Sequence, residues 1–328
     1  MNKDIKKIAV LTSGGDAPGM NAAIRAVVRS CAYHQLDCVG VFRGLQGLIE
    51  GDFKDMGPRS VKNIINRGGT LLKSARSKEF RTAEGRRKAY DHLVKAGIDA
   101  LVVIGGDGTF TGASVFMEEY DFPIVGIPGT IDNDINGTDF TVGYDTALNT
   151  VVEAIDKIRD TANSHNRLFL IEVMGRDAGD IALNAGIGAG AEEILIPEQD
   201  LGRERLITSL KRSKKSGKSS SIVVVAEGDQ SGKNIFELAD YVRENLDDYE
   251  VKVTVLGHIQ RGGSPSCYDR VLASRLGVGA VDALNSGERG IMIGVANNKI
   301  VYVPFDIAIK GDNDIDLDLI RVADITSV

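Results

Sequence analysis

The sequence predicts an α/β fold with two lobes, each built on a mainly parallel β-sheet that helices cover on both faces. The first observation is that short apolar runs alternate along the chain with segments of helical spacing, which is typical of parallel strands joined by helices. The second is length, because 328 residues suggest about two domains. The third is that no low-complexity linker separates two halves, so the lobes are expected to exchange segments of chain.

Composition limits the kinds of partner that the chain binds. With 43% apolar and 26% charged residues, it has the makeup of a soluble globular protein. A net charge of -7 argues against a nucleic-acid surface but leaves room for local basic pockets. No apolar run approaches a membrane span, and the run from Ile8 to Leu11 is too short for a signal peptide. Three cysteines without metal-like spacing suit a reducing cytoplasm.

The first predicted strand, residues 7–11, is followed by a glycine turn at residues 12–21 and by a helix. Backbone N–H groups and the positive end of the helix dipole converge there, which suits an anion. A turn that only reverses the chain is an equally open interpretation. Arg25 and Arg29 share one face of this helix. That face is either solvated or a second anion site.

A second strand–glycine–helix unit follows at residues 100–109, where a β-branched run leads into Gly105, Gly106, Asp107 and Gly108. Glycines let the backbone approach a phosphate chain closely. Asp107 is placed to hold Mg²⁺, which prefers one or two carboxylates plus phosphate oxygens. The alternative is an aspartate that caps the next helix. We favour the metal because glycines flank Asp107 on both sides.

The stretch Pro128–Asp134 follows an apolar run, Ile124–Ile127, that predicts a buried strand. Asp132 and Asp134 therefore come just past a strand end, where sites form in parallel sheets. One carboxylate is suited to accept a proton while the other helps to hold a cation. The alternative is a polar turn, because Asp, Asn and Gly favour turns.

Polar residues also follow predicted strands in the second half of the chain. The strand Leu168–Val173 leads to Arg176, and Glu227 follows a strand at residues 221–226. His258 and Arg261 follow an alternating run that ends at residue 256. A lone histidine is more often structural, but two donors together suit a phosphate. The final residues, rich in Asp and Ile, are not assigned to an element.

Five motifs together resemble those of the bacterial ATP-dependent 6-phosphofructokinase family. They are Ser13–Asn21, Gly105–Thr109, Pro128–Asp134, Met174–Arg176 and Gly257–Gly263, in family order across nearly the whole chain. Gly-Gly-Asp-Gly-Thr alone is not specific, since NAD kinases and lipid kinases resemble it, but the five together are.

The resemblance implies two Rossmann-like three-layer lobes. Residues 1–143 plus 260–310 are the implied ATP-binding lobe, and residues 144–259 plus 311–328 the implied fructose 6-phosphate-binding lobe. The implied reaction moves the γ-phosphate of ATP to the 1-hydroxyl of D-fructose 6-phosphate, giving fructose 1,6-bisphosphate and ADP, the committed step of glycolysis.

The resemblance also implies roles for individual residues. Asp132 is the implied base that takes the hydroxyl proton, and Thr130 contacts the reacting group. Arg76 and Arg176 stabilise the charge on the transferring phosphoryl group. The residues implied to bind ATP are Gly15, Arg76, Ser77, Gly106, Asp107, Gly108 and Thr109.

The implied cofactor is Mg²⁺, held by Asp107 with Asp134 assisting. The residues implied to bind the sugar phosphate are Thr130, Ile131, Asp132, Arg167, Met174, Gly175, Arg176, Glu227, Lys252, His258, Ile259, Gln260 and Arg261. Arg167 and Lys252 match residues that reach into a neighbouring subunit, so the resemblance implies a homotetramer with shared active sites.

An effector site for ADP or phosphoenolpyruvate between subunits is also implied. Its matching residues are Arg25, Arg29, Arg159, Gly190, Ala191, Glu192 and Lys218. The chain departs from the family pattern at Lys252, commonly arginine, and at Leu45 and Ser77, where aromatic residues are common near adenine. Pyrophosphate-dependent relatives carry Asp and Lys at the positions of Gly108 and Gly129, so we expect ATP as donor.

Overall fold

The computed structural model describes residues 5–162, 167–199, 202–215, 221–229, 234–246, 249–310 and 315–327. The chain divides into two compact units. Unit 1 is Met1–Thr146 with Arg261–Asp312, and unit 2 is Ala147–Gln260 with Asn313–Val328. Each unit is therefore assembled from two separate segments, which confirms the expected exchange of chain.

Strands and helices are numbered here in chain order. The strands are β1 (Lys7–Thr12), β2 (Asp37–Val41), β3 (Phe53–Asp55), β4 (Ala100–Gly105), β5 (Ile124–Pro128), β6 (Arg167–Val173), β7 (Glu193–Leu195), β8 (Ser221–Ala226), β9 (Glu250–Val255), β10 (Ile291–Ala296) and β11 (Lys299–Pro304). The α-helices are α1 (Met20–Tyr33), α2 (Gly44–Glu50), α3 (Ala83–Lys95), α4 (Asp107–Tyr120), α5 (Tyr144–Ala162), α6 (Asp180–Gly188), α7 (Gly202–Lys215), α8 (Ile235–Asn245), α9 (Cys267–Asn285), α10 (Phe305–Lys310) and α11 (Leu317–Thr326).

Unit 1 is built on one sheet, with strand order β11-β10-β5-β4-β1-β2-β3 among the described residues. The five inner strands run parallel, and β11 and β3 pair antiparallel at the two edges. Thr12 pairs with Ile104, and Gly105 pairs with Pro128. The carboxyl ends of β1, β4 and β5 therefore lie side by side. The three loops predicted to form the site follow these strand ends.

Unit 2 is built on a parallel sheet with strand order β7-β8-β6-β9 among the described residues. Val173 pairs with Ala226, and Glu172 pairs with Val255. The strands that precede Met174, Glu227 and Gly257 thus end together at one edge. The two sheets confirm the predicted α/β architecture with mainly parallel strands.

The central strands are buried because helices cover both faces of the sheets. Every residue of β4, β5 and β8 is buried, as expected for β-branched runs in parallel sheets. In unit 1 the aromatic side chains of α4 fill the space beside the sheet, and Phe110 stacks on Phe305 with ring centroids 5.3 Å apart. None of the described helices is long and apolar enough to cross a membrane.

The structure adds elements that the sequence pattern did not assign. The last described residues form α11, whose N-cap Asp316 accepts bonds from Asp318 N and Leu319 N. No residue of α11 is fully buried, and Leu319, Ile320, Val322 and Ala323 are partly buried. The short α2 begins after Arg43, which adopts a left-handed backbone with φ 64°.

A buried carboxylate joins α9 to the residues that precede and begin α5. Asp269 is fully buried and accepts hydrogen bonds from Gly143 N (2.8 Å), Thr146 N (2.8 Å) and Thr146 Oγ1 (2.5 Å). Burial raises the pKa of Asp269 to about 6, while these three bonds favour the charged form and oppose that shift. All three residues lie in unit 1.

We expect Asp269→Asn to lower the free energy of unfolding by about 1–3 kcal/mol. An amide has one acceptor oxygen, so its NH₂ group must face one of the three donors. Urea denaturation at pH 7.5 measures the change. Asp91→Asn, at an exposed residue whose side chain pairs with Arg87, is the matched control and should stay within about 0.5 kcal/mol of the parent. Equal stabilities for both variants would contradict this role.

Candidate active site

Three loops leave the same edge of the unit 1 sheet, after β1, β4 and β5. Backbone hydrogen bonds continue the ladder beyond the strands, since Ser13 N donates to Ile104 O (2.9 Å) and Gly129 N donates to Gly105 O (3.0 Å). The predicted glycine turn, the Gly105–Thr109 motif and the Pro128–Asp134 motif are thus brought together within one unit.

The middle loop approaches the first loop so closely that a side chain is excluded at Gly105. A Cβ built there would lie 2.4 Å from Thr109 Oγ1 and 2.5 Å from Ser13 O. Gly108 differs, because it is exposed and a Cβ built on it would meet no atom of the described residues within 4 Å. Its backbone is therefore open to a ligand, as the phosphate-cradle interpretation requires.

Asp107 is the first residue of α4, and the N-cap position is Gly106, with no side-chain cap hydrogen bond. Asp107 is therefore not the N-cap residue of α4. Its carboxylate instead lies in the first turn of the helix, at the positive end of the helix dipole. A Cβ built on Gly106 would lie 3.8 Å from Thr130 Cβ, so this end of α4 faces the loop that carries Asp132 and Asp134.

The third loop holds the predicted base in a buried position. Asp132 and Ile131 are buried at 6% and 2% exposure, and Asp134 is half-buried. Asp132 N donates to Thr130 Oγ1 at 3.2 Å. The threonine hydroxyl is thus held against the backbone of Asp132.

Mg²⁺ is the metal that the sequence implies, and the donors at this edge fit it. No group of three or more His, Cys, Asp or Glu side chains suited to a metal occurs in the part of the chain that the structure describes. Asp107 and Asp134 supply carboxylate oxygens. Mg²⁺ commonly takes one or two carboxylates and draws its other ligands from phosphate and water, so this sparse donor set suits it.

Arg261 contacts the first loop, which the sequence did not predict. A Cβ built on Gly15 would lie 2.2 Å from Arg261 Nη1, so the guanidinium lies directly over the Gly15 backbone. The motifs assign Gly15 to ATP and Arg261 to the sugar phosphate. Both belong to unit 1, and their contact was hidden because about 250 residues of chain separate them.

Of the two residues expected near adenine, Ser77 has polar partners and Leu45 has apolar ones. Ser77 Oγ donates to Gln46 Oε1 (2.7 Å) and accepts from Phe80 N (3.1 Å). Leu45 is partly buried against the core beside α4. Arg76 is exposed. The sequence did not single out Gln46, because only the fold places it against Ser77.

In unit 2, the loops after β6, β8 and β9 form a second polar edge. Arg176 N donates to Glu227 Oε1 (2.8 Å), and Met174 N donates to Gln260 Oε1 (3.2 Å). Arg176 adopts a left-handed backbone with φ 56°. His258 and Ile259 are exposed in the short 3₁₀ turn Gly257–Arg261. Gly175 is buried between Met174 and Arg176.

Arg167 and Lys252 do not join this edge. Arg167 Nε lies 2.8 Å from Glu250 Oε2, and Lys252 Nζ lies 2.5 Å from Glu250 Oε1. Hydrogen bonds from Arg167 and then Lys252 lower the pKa of Glu250 to about 2. Arg167 and Glu250 begin β6 and β9, whereas Lys252 lies two residues into β9 and pairs with Phe169. Along the strands, Arg167 is therefore about 20 Å and Lys252 about 13 Å from the end of β6 that leads to Arg176.

The predicted effector residues of unit 2 come together. Arg159 Nη2 donates to Ala189 O (2.6 Å) and Gly190 O (2.9 Å). Arg159 Nη1 lies 3.9 Å from Glu192 Oε1, and Glu192 Oε2 accepts from Ile222 N (2.6 Å). Ala191 is buried between them. Lys218 lies outside the described residues.

Arg25 and Arg29 belong to unit 1, where they line one groove between α1 and α9. Within the described residues neither makes an ion pair. Burial, and then the charge of Arg29, lowers the pKa of Arg25. An uncompensated cation pair of this kind favours an anion.

Comparison with known proteins gives consistent matches across the chain. A family model described as Phosphofructokinase matches residues 7–284. The ATP-dependent 6-phosphofructokinase 2 of Bacteroides thetaiotaomicron is 54% identical over 318 residues, 97% of each chain. The ATP-dependent 6-phosphofructokinase of Halalkalibacterium halodurans is 55% identical over 326 residues, 99% of this chain and 100% of its own. The solved phosphofructokinase of Saccharomyces cerevisiae matches with a TM-score of 0.90 and 38% identity, over 98% of this chain and 48% of that one.

We expect Gly105→Ala to lower the free energy of unfolding by about 1–3 kcal/mol, because the new methyl group would overlap a backbone oxygen that cannot move freely. Gly108→Ala is the matched control. Its methyl group meets no described atom, and alanine favours a helix, so its stability should equal or exceed the parent's by up to about 1 kcal/mol. Urea denaturation measures both. A stable Gly105→Ala protein would show that the loops are not packed this closely.

Proposed function

Since the chain belongs to the phosphofructokinase family, we propose that it transfers the γ-phosphate of ATP to the 1-hydroxyl of D-fructose 6-phosphate. The products are fructose 1,6-bisphosphate and ADP, and the reaction is a committed step of glycolysis. The named relatives at 54% and 55% identity support this proposal. The observation that carries it is the meeting of Asp107, Asp132 and an open glycine backbone at one sheet edge.

In the proposed mechanism, Asp132 accepts the proton of the 1-hydroxyl as that oxygen attacks the γ-phosphorus in line. Its buried position, with Thr130 bonded beside it, supports this role because a base must be held within hydrogen-bond reach of the proton that it takes. Mg²⁺, held by Asp107 and Asp134, would neutralise charge on the phosphate oxygens. Such a base typically contributes about 10²–10⁴-fold to the rate.

Backbone N–H groups and arginines would stabilise the transferring phosphoryl group. Gly15, Gly106, Gly108 and Thr109 would line the phosphate chain, since the open backbone at Gly108 accepts a close ligand. Arg76 and Arg176 would interact with the charge that spreads over the phosphoryl oxygens. Losing one such donor typically raises the barrier by about 3–4 kcal/mol.

ATP is the proposed donor because glycine occupies the two positions, Gly108 and Gly129, where pyrophosphate-dependent relatives carry Asp and Lys. A Cβ built on Gly108 would meet no described atom within 4 Å. The space beside Gly108 is therefore open because glycine has no side chain. A nucleotide-sensing subunit that has lost catalysis is the alternative. The retention of Asp107, Asp132 and Asp134 disfavours it.

Sugar-phosphate binding is proposed to use both edges of the unit 2 sheet, and therefore two subunits. Met174, Arg176, Glu227 and His258 stand at one edge, while Arg167 and Lys252 stand at the other. Along the strands, Arg167 lies about 20 Å and Lys252 about 13 Å from the end of β6 that leads to Arg176, so one unit does not bring the two groups to the same phosphate. We propose that Arg167 and Lys252 bind the sugar phosphate in the site of a neighbouring subunit. The active sites are then shared between subunits of a homotetramer.

We also propose that ADP or phosphoenolpyruvate binds as an effector between subunits, at a site to which Arg25, Arg29, Arg159 and the turn Gly190–Glu192 contribute. The absence of an ion pair at Arg25 and Arg29 within the described residues supports an anionic ligand there.

The cysteines Cys31, Cys38 and Cys267 are free, which supports the proposed cytoplasmic location.

The reaction is tested by a coupled assay with fructose 6-phosphate and Mg²⁺, comparing ATP with pyrophosphate. We expect turnover with ATP, and we expect Asp132→Ser to lower kcat by about 10²–10⁴-fold. The KM for fructose 6-phosphate should change by less than about threefold, because the lost interaction forms only in the transition state.

Asp91→Ser is the control for this comparison, as an exposed aspartate on α3 of the same unit, and it should keep parental kinetics. Near-normal kcat in Asp132→Ser would remove Asp132 as the base. Faster turnover with pyrophosphate than with ATP would overturn the proposed donor.

The effector site is tested by saturation curves for fructose 6-phosphate with and without ADP or phosphoenolpyruvate. In the parent we expect the half-saturating concentration to shift by about fivefold or more. Arg29→Ala should abolish this shift while leaving the curve without effector unchanged. Arg87→Ala, at an exposed arginine on α3, is the control. A parent curve that neither compound moves would refute the effector site.

A further inference from the structure

Asn133 lies between the two carboxylates of the third loop, and its conformation is unusual. It is 7% exposed and has a left-handed backbone with φ 55°, a region that asparagine and glycine tolerate best. Its Oδ1 accepts from Thr141 N at 2.9 Å. The side chain thus fixes the turn that aims Asp132 and Asp134.

Thr141 completes the attachment from the other side of the loop. It is 1% exposed, and its Oγ1 donates to Thr130 O at 2.7 Å. The same hydroxyl lies 3.3 Å from Asn133 Oδ1. A hydroxyl has one proton, so the shorter contact with Thr130 O is the bond that it makes. Asn133 and Thr141 therefore join both sides of Asp132 to one strand-like segment; we call this pair the Asn133–Thr141 bracket.

The segment that carries the bracket is itself anchored to the sheet. Val142 N donates to Pro128 O (2.9 Å), next to the end of β5. At the other side, Asp139 N donates to Val295 O (2.7 Å), and Asn297 N donates to Asp139 Oδ2 (2.7 Å). Val295 belongs to β10. The bracket thus connects the Asp132 turn to two strands of the unit 1 sheet through directional bonds.

We propose that Asn133 and Thr141 are positioning residues for Asp132 in the phosphoryl transfer. The inference rests on the proposed function, because it assumes that Asp132 is the base. Neither side chain needs to touch a substrate. A displacement of about 1 Å at a catalytic group can cost about 10²-fold in rate, so loosening the turn should slow chemistry while substrate binding is kept.

The test compares Thr141→Val with Thr141→Ser, and adds Asn133→Gly. Valine keeps the shape of threonine but removes the hydroxyl, whereas serine keeps the hydroxyl. Glycine at residue 133 keeps the left-handed backbone but removes the acceptor. We expect kcat to fall by about 10–10²-fold in Thr141→Val and Asn133→Gly. The KM for fructose 6-phosphate should change by less than about threefold, and Thr141→Ser should retain kcat within about threefold.

Asn63→Gly controls for added glycine flexibility, since Asn63 is exposed with φ 58°, and it should keep parental kinetics. Thermal unfolding of each variant checks that it is folded. Equal kcat in Thr141→Val and Thr141→Ser would overturn the bracket, as would a KM that rises with kcat unchanged. Those outcomes need an active parent. A parent that does not phosphorylate fructose 6-phosphate would overturn the proposed function itself and, with it, the role of the bracket.

Discussion

The pairing of β1, β4 and β5 as adjacent parallel strands is the constraint on which the candidate site depends. Their carboxyl ends are in register, and the backbone bonds of Ser13 and Gly129 extend that register into the loops. Neighbouring strands lie about 4.8 Å apart, so the three loops emerge within roughly 10 Å. Strand pairing alone therefore brings together glycine N–H groups and carboxylates from distant parts of the chain.

Polar bonds hold these loops together, alongside the buried apolar side chains of Ile131 and Ile135. The first and middle loops approach until only glycine fits at Gly105. In the third loop, the backbone groups Thr141 N and Thr130 O have no backbone hydrogen-bond partner in a strand ladder of the described residues. The side-chain amide of Asn133 and the hydroxyl of Thr141 bond to them instead. Buried polar groups must be paired in this way, since an unpaired one costs about 1–3 kcal/mol. The same bonds that satisfy the loop also orient Asp132.

Unit 2 shows a different use of a parallel sheet, with charge at both ends of its strands. Arg176 and Glu227 stand at the carboxyl edge, and Arg167 and Lys252 stand at the amino edge with Glu250 between them. Arg167 and Lys252 lower the pKa of Glu250 to about 2, so this carboxylate, like an ordinary glutamate, is ionised at neutral pH. A phosphate that approaches Arg167 and Lys252 must therefore compete with Glu250 for them.

The sequence by itself determined the alternation of strands and helices, the glycine turns after β1 and β4, and the aspartates past the ends of β4 and β5. These features follow from local patterns, namely β-branched runs, glycine placement and the rule that sites form at strand ends. Only the tertiary structure decided that Arg261 covers Gly15, that Thr141 holds Asn133, and that Glu250 pairs with both Arg167 and Lys252. Those pairings depend on strand order and register, which arise from packing between segments far apart in the chain and leave no mark on the local pattern.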